Sequence, residues 1–272
     1  MSQSSTKVVA FISPFHLTTS GHQNIAQLIA SALRVIGIQT LLCPFCGPQA
    51  LQLLQHYKVP ISGVIVDYPD AELTPTLAQL KGNFVNVPWV GLAMYLDDAA
   101  DKGFVNYDYI LEMEPAAGDS KPQRITRIGG SPVVRSRNVA YPTDAQTRWL
   151  DGVASGEETL LIMQTGNSDE RVALGHYGEM IAATKHAIPI WSRAAPQPAA
   201  RLMRAATHIY AATGYSTVWE CVAVGAFKRA EWQHLVRPVE GLARRLAIAS
   251  TIQPNQVRNE LYVASELQKV GF

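Results

Sequence analysis

Residues Ala211 to Gly225 read AATGYSTVWECVAVG and combine a glycine turn, hydroxyls and a carboxylate in an order suited to holding an anion. The apolar run Thr207 to Ala212 has the character of a short buried strand. It stops at Thr213-Gly214-Tyr215-Ser216-Thr217, and helical spacing starts at Val218, Cys221 and Val222. A strand, a small-residue turn and a helix start bring backbone N–H groups and the positive end of a helix dipole to one point, which suits a phosphate. Ser216 and Glu220 fall one helical turn apart, on the side away from Val218 and Val222. The carboxylate there can accept from the two neighbouring hydroxyls of a ribose. Thr217-x-x-Glu220 equally fits a capping box, in which Glu220 only folds back on the helix end. From these residues alone both readings stay open.

The elements needed to hold such a turn follow from the rest of the chain. Lys7 to Ser13 reads as a buried strand leading through the loop Pro14 to His22 into a helix whose apolar positions are Ile25, Leu28, Ile29, Ala32, Leu33 and Ile36, with Gly37 as its stop. Ile38 to Cys43 and Ile61 to Val66 read as further strands, with a helix over Gln49 to Tyr57 between them. Phe84 to Met94 is an apolar run broken at Pro88, and Tyr109 to Leu111 is a short one. Glu114 to Asp151 carries many prolines, glycines and polar residues with little periodicity and reads as a connection between domains. The pattern restarts with a strand at Glu158 to Gln164, a helix at Glu170 to Thr184, a strand at Ala187 to Trp191 and a short helix at Pro198 to Ala206. Closing helices are expected at Arg237 to Ser250 and Gln256 to Val270. Strands and helices at these intervals predict parallel sheets covered on both faces.

Composition narrows the function. The 272 residues are 47% apolar, enough to fill two cores, and carry 23 basic against 22 acidic residues for a net charge of +1. That balance argues against nucleic acid as a partner. No apolar stretch reaches the roughly 18 residues that span a bilayer, and the N-terminal residues lack a signal-peptide pattern, so the expected location is cytoplasmic. Three cysteines argue against a disulfide framework. Cys43-Pro44-Phe45-Cys46 is a C-x-x-C, the pattern of a redox pair or half of a zinc site, but it has no second pair and does not sit in a thioredoxin-like context. Arg135 and Arg137 in the connecting segment could touch phosphate, with a surface position as the default reading.

The loop Ser20-Gly21-His22 opening a long helix, together with GYSTVWECVAVG at Gly214 to Gly225, resembles the GT-B glycosyltransferases, in the branch of the bacterial lipid II N-acetylglucosaminyltransferase. The resemblance implies two Rossmann-like α/β domains facing a cleft, residues 1–140 on the acceptor side and 141–272 binding a nucleotide sugar, with the last helix packing back on the first domain. It implies a nucleoside diphosphate sugar, UDP-linked, as donor and an unidentified hydroxyl compound as acceptor, with neither cofactor nor metal; the oligomeric state, homodimer included, stays open. Carried over by residue, it puts Thr165, Gly166 and Asn167 near the nucleotide and Arg193 near the base. Thr213, Gly214, Ser216 and Thr217 fall at the diphosphate, Glu220 on the ribose, and His22 at the acceptor hydroxyl or the diphosphate.

Asp97 and Asp98, followed by Tyr107 to Leu111, look like the Asp-Asp segment of the nucleotide-sugar hydrolase of the pseudaminic acid route, where water replaces the alcohol. Two departures stand beside these matches. The acidic-glutamine pair that holds the donor sugar is represented only by Glu240, and the apolar strand expected after Gly225 is replaced by Ala226 to Glu231. Transfer is therefore the first expectation, hydrolysis the second and nucleotide-sugar binding without turnover the third.

Overall fold

A computed structural model of the chain describes residues 7–13, 20–43, 48–57, 60–67, 74–93, 106–115, 125–164, 168–233 and 242–272. They divide into two compact units. One holds the first strand, His22–Val133 and Arg258–Phe272; the other is built on Val134–Val257.

In the first unit β1 (Val8–Ile12), α1 (Ser20–Val35), β2 (Gln39–Cys43), α2 (Pro48–His56), β3 (Ile61–Asp67), α3 (Thr74–Asn83), β4 (Trp89–Ala93), β5 (Tyr109–Glu112) and β6 (Thr126–Gly129) follow in sequence. The strands form one sheet in the order β2-β1-β3-β4-β5-β6, every pairing parallel. β1 and β4 are buried along their whole length, as a parallel strand covered on both faces must be, and this is why they read as unbroken apolar runs. α1 ends where Gly37 takes φ +77° and the Ile38 N–H returns to the Leu33 carbonyl at 2.9 Å, a left-handed cap that glycine adopts without strain.

The second unit contains α4 (Ser136–Val139), α5 (Asp144–Ala154), β7 (Thr159–Met163), α6 (Ser168–Lys185), β8 (Ile188–Trp191), β9 (His208–Ala212), α7 (Tyr215–Ala223), β10 (Ala230–Gln233) and α8 (Leu242–Ala249), with tight helical turns at Ala199–Arg204 and Phe227–Arg229. Its sheet runs β10-β9-β7-β8, again all parallel. β7 pairs with β8 on one side and β9 on the other, so strand order reverses between β7 and β9. The carboxyl ends of these two strands lie side by side there, Met163 opposite Ala211. In open α/β sheets such a reversal is where ligands bind.

Four sequence expectations change. The segment Glu114 to Asp151 is not a bare connection: it supplies β6, α4 and α5. The first turn of α5 is closed by Thr143 and Gln146, each side chain bonded to the other residue's backbone. The helix α3 was not expected, and its apolar side is only Leu77 and Leu80, too little for a periodic signal. A strand does follow Gly225: β10, AEWQ, pairs with β9 as an edge strand and needs no fully apolar sequence. Finally, the short helix expected at Pro198 to Ala206 is narrower, a 3₁₀ helix over Ala199–Arg204.

The chain returns to the first unit through α9 (Glu260–Lys269), capped by the Asn259 side chain. Glu266 accepts from the Gly129 N–H at 3.1 Å, and Phe272 lies so close over Gly63 that a Cβ there would sit 2.5 Å from its ring. Among the described residues no helix is long and apolar enough to cross a membrane.

Candidate functional site

The turn after β9 is built from the end of a buried strand. Ile209 to Ala212 are buried, Ile209 to Ala211 paired in parallel on both sides and Ala212 on one, and they hold Thr213 fully buried at the sheet's carboxyl edge. Gly214 is the N-cap of α7, with φ −64° and ψ 151°, and the helix starts at Tyr215, three residues earlier than the apolar spacing predicts. The hydrogen-bond ladder opens with the Val218 N–H to the Gly214 carbonyl at 3.1 Å, and no side chain caps this end among the described residues. The N–H groups of Ser216 and Thr217 therefore precede the ladder at the positive end of the helix. A Cβ placed on Gly214 would meet no described atom within 4 Å. Thr213 Oγ1 is buried and has no hydrogen-bond partner among the described residues.

A buried cation flanks the turn. Arg245 of α8 donates from Nη1 to the Thr213 carbonyl at 3.1 Å, and its guanidinium lies over the Tyr215 ring, 5.7 Å from the centroid. Sequence reasoning passed over Arg245 because α8 is 32 positions from the turn and nothing local distinguishes this arginine from Arg244.

Glu220 occupies an interior position. α7 is buried almost all round, and Glu220 is 4% exposed, beside Val218 and Val222 rather than on a solvent side. With Gly214 as N-cap, the capping box between Thr217 and Glu220 does not form. Glu220 Oε1 instead accepts from Asn138 Nδ2 at 2.6 Å. Burial pushes the Glu220 carboxyl up to about 7, against the opposing pull of the Asn138 hydrogen bond and the positive charge of Arg135. Asn138 and Arg135 come from the segment that the sequence presented as a connection, and Arg135 is half-buried rather than a surface arginine.

The strands neighbouring β9 add less. Ser192, after β8, accepts the Gln164 N–H on its hydroxyl at 2.9 Å and so joins the ends of β7 and β8. Arg193 follows it and is exposed. Thr165, Gly166 and Asn167, directly after β7, lie outside the described residues, as do Asp97, Asp98, Glu240 and Cys46. His22 belongs to the first turn of α1, and its side chain is likewise outside what is described. Cys43 is buried at the end of β2. Among the described residues no three His, Cys, Asp or Glu side chains gather as a metal site.

No family model matches this sequence, and no curated protein sequence does. Solved structures do match its fold. The glycosyltransferase SnogD from Streptomyces nogalater superposes with a TM-score of 0.57 at 13% identity, covering 98% of this chain and 100% of that one. The glycosyltransferase SsfS6 from Streptomyces sp. SF2575 gives 0.53 at 11% identity, covering 97% and 99%. MurG of Acinetobacter baumannii gives 0.50 at 12% identity, covering 97% and 90%. The fold is GT-B. In a GT-B chain the unit spanning Val134–Val257 is a parallel sheet whose strand reversal ends in the Thr213–Gly214 turn. At these identities the likeness concerns architecture, and the chemistry has to be argued from the residues.

Proposed function

We propose that this protein binds a nucleoside diphosphate sugar in its second unit and transfers the sugar to a hydroxyl acceptor. The observation that supports the reading best is the turn from β9 into α7: a helix N-terminus entered through Gly214, with neither a side-chain cap nor a crowding atom among the described residues, at the strand reversal of a GT-B sheet. The diphosphate would take the N–H groups of Ser216 and Thr217 and the Ser216 hydroxyl. As the bond from sugar to diphosphate breaks, the leaving oxygens gain negative charge. Fixed N–H dipoles, the helix terminus and the nearby Arg245 charge stabilise that gain most in the transition state. Glu220 accepts from the ribose hydroxyls, and Arg193 stands where the base would extend past β8. His22 is the proposed proton acceptor for the attacking hydroxyl, a task suited to a neutral imidazole.

The test is incubation of the purified chain with a panel of nucleotide sugars, following free nucleoside diphosphate. Release that requires an added alcohol supports transfer. Release in buffer alone assigns hydrolysis instead, and binding without release assigns a silent nucleotide-sugar receptor. If no nucleotide sugar raises the Tm, the whole reading falls, because a ligand of the native state stabilises it by mass action.

A further inference from the structure

Asn138 is held more firmly than a connecting residue requires. Its own N–H returns to the Arg135 carbonyl at 2.9 Å. On either side, Arg201 Nε donates to the Arg137 carbonyl at 2.9 Å and Arg204 Nη2 to the Val139 carbonyl at 2.9 Å. Two arginines of the Ala199–Arg204 turn thus fix the backbone of α4 around Asn138, and the amide is delivered, 5% exposed, onto Glu220 Oε1. An ionised carboxylate offers about four acceptor directions, and this amide takes one.

We infer that Asn138 is a positioning residue for Glu220: by holding one carboxylate oxygen it sets the rotation of the carboxylate, so that the remaining lone pairs meet the ribose hydroxyls of a bound nucleotide. The inference rests on the reading of the 213–217 turn as a nucleoside diphosphate site. It has an electrostatic side as well. A buried carboxyl resists ionisation, whereas a donor aimed at it favours the charged form, which accepts hydrogen bonds from hydroxyls most strongly. Among the described residues the hydrogen bond to the Glu220 carboxylate comes from Asn138. Arg135, preceding α4, acts on Glu220 through its charge. Arg201 and Arg204 are bonded to backbone carbonyls of the α4 region, Arg229 to those of Met203 and Ala206, and Arg245 to that of Thr213. The neighbouring Cys221 thiol is buried, and its ionisation is pushed well up.

The experiment compares uridine diphosphate with its 2′,3′-dideoxy analogue, by calorimetry on the full chain between about pH 6 and pH 9. The proteins are wild type, Glu220→Gln and Asn138→Ala, with Asn138→Ser as a second Asn138 variant that keeps a polar group in place should the alanine chain fail to fold. Wild type is expected to prefer the hydroxylated ligand about tenfold. The preference disappears in Glu220→Gln at every pH. In the Asn138 variants it disappears near neutral pH and returns at the alkaline end, because Glu220 without its donor ionises later. An Asn138 variant with a lowered Tm but the wild-type preference and pH profile overturns the inference and leaves the nucleotide site standing. A wild-type chain that binds neither ligand overturns both, before any variant is made. A Glu220→Gln chain with undiminished preference also overturns the inference, because it removes Glu220 from the ribose.

Discussion

Arg245 Nη1 donates to the Thr213 carbonyl at 3.1 Å, which sets a buried guanidinium against the residue preceding Gly214. The bond satisfies a carbonyl at the end of β9 that α7 does not reach, and it brings a positive charge to the end of the helix that is already positive. An anion bound at the turn, as proposed, would lie within reach of both positive ends. Replacing Arg245 by Met keeps much of the packing and removes both the donor and the charge. The expected loss of stability is about 1–3 kcal/mol from the unpaired carbonyl. Uridine diphosphate affinity should fall further than uridine affinity and lose part of its salt dependence. Thermal denaturation and titrations with the two ligands check this; equal losses for both ligands would assign Arg245 to the fold alone.

Gly214 offers a separate test. Its φ of −64° is open to any residue, and a Cβ there meets no described atom, so neither backbone strain nor crowding by the described residues accounts for a glycine. Close approach of the proposed diphosphate would account for it. Gly214→Val should leave stability within about 1 kcal/mol of wild type, since the weaker N-cap is offset by a stiffer unfolded chain. Uridine diphosphate affinity should drop at least about tenfold, as a side chain would occupy the space proposed for the phosphate. An unchanged affinity would place the diphosphate elsewhere.

Gly178 shows the opposite situation. A Cβ at this position of α6 would lie 2.7 Å from Ile162 Cδ1, 2.8 Å from Cγ1 and 3.0 Å from Cγ2, so no single rotation of Ile162 clears it. Gly178→Ala should destabilise the chain by about 1–3 kcal/mol through overpacking of α6 on β7. Adding Ile162→Val removes the nearest methyl and should recover part of the loss, a non-additivity visible in the Tm of the two single variants and the double variant. Strict additivity would mean that the helix shifts away from the sheet instead.

The contrast between these positions explains what could be read from sequence. Strands such as VVAFI at β1 and TLLIM at β7 are buried on both faces, so their composition announces them whatever their neighbours are. The turn at Gly214 was legible for a similar reason: a buried strand cannot stop at a small-residue cluster without a change of direction. The start of α7 was misplaced because Tyr215 to Thr217 look like loop residues. Tyr215 is buried beneath Arg245, a contact made by α8, and the helix gains its first turn from that packing. Asn138 was invisible as a site residue because its partner lies 82 positions away. A lone Asn among prolines and glycines carries a turn signal and no hint of a carboxylate it will meet only after both strands of the reversal are in place. The edge strands β6 and β10 were hidden because half-buried strands alternate weakly over four residues.

The buried Glu220 carboxyl makes a final prediction, independent of any ligand. Folding raises its pKa from 4.5 to about 7, chiefly by burial. Between those values the native chain holds a proton that the unfolded chain has released, so stability falls as pH rises through this window and levels off above it. The shift corresponds to roughly 3 kcal/mol at most across the window. Glu220→Gln cannot ionise, and its amide oxygen still accepts from Asn138. The Tm of Glu220→Gln minus that of wild type should therefore grow between about pH 5 and pH 8 and stay constant beyond. A difference that does not change with pH would mean that Asn138 and Arg135 together cancel the penalty of burial. Glu220 would then be charged at neutral pH with its acceptor strength intact, and the Asn138 variants would lose more ribose preference than Arg135 could restore.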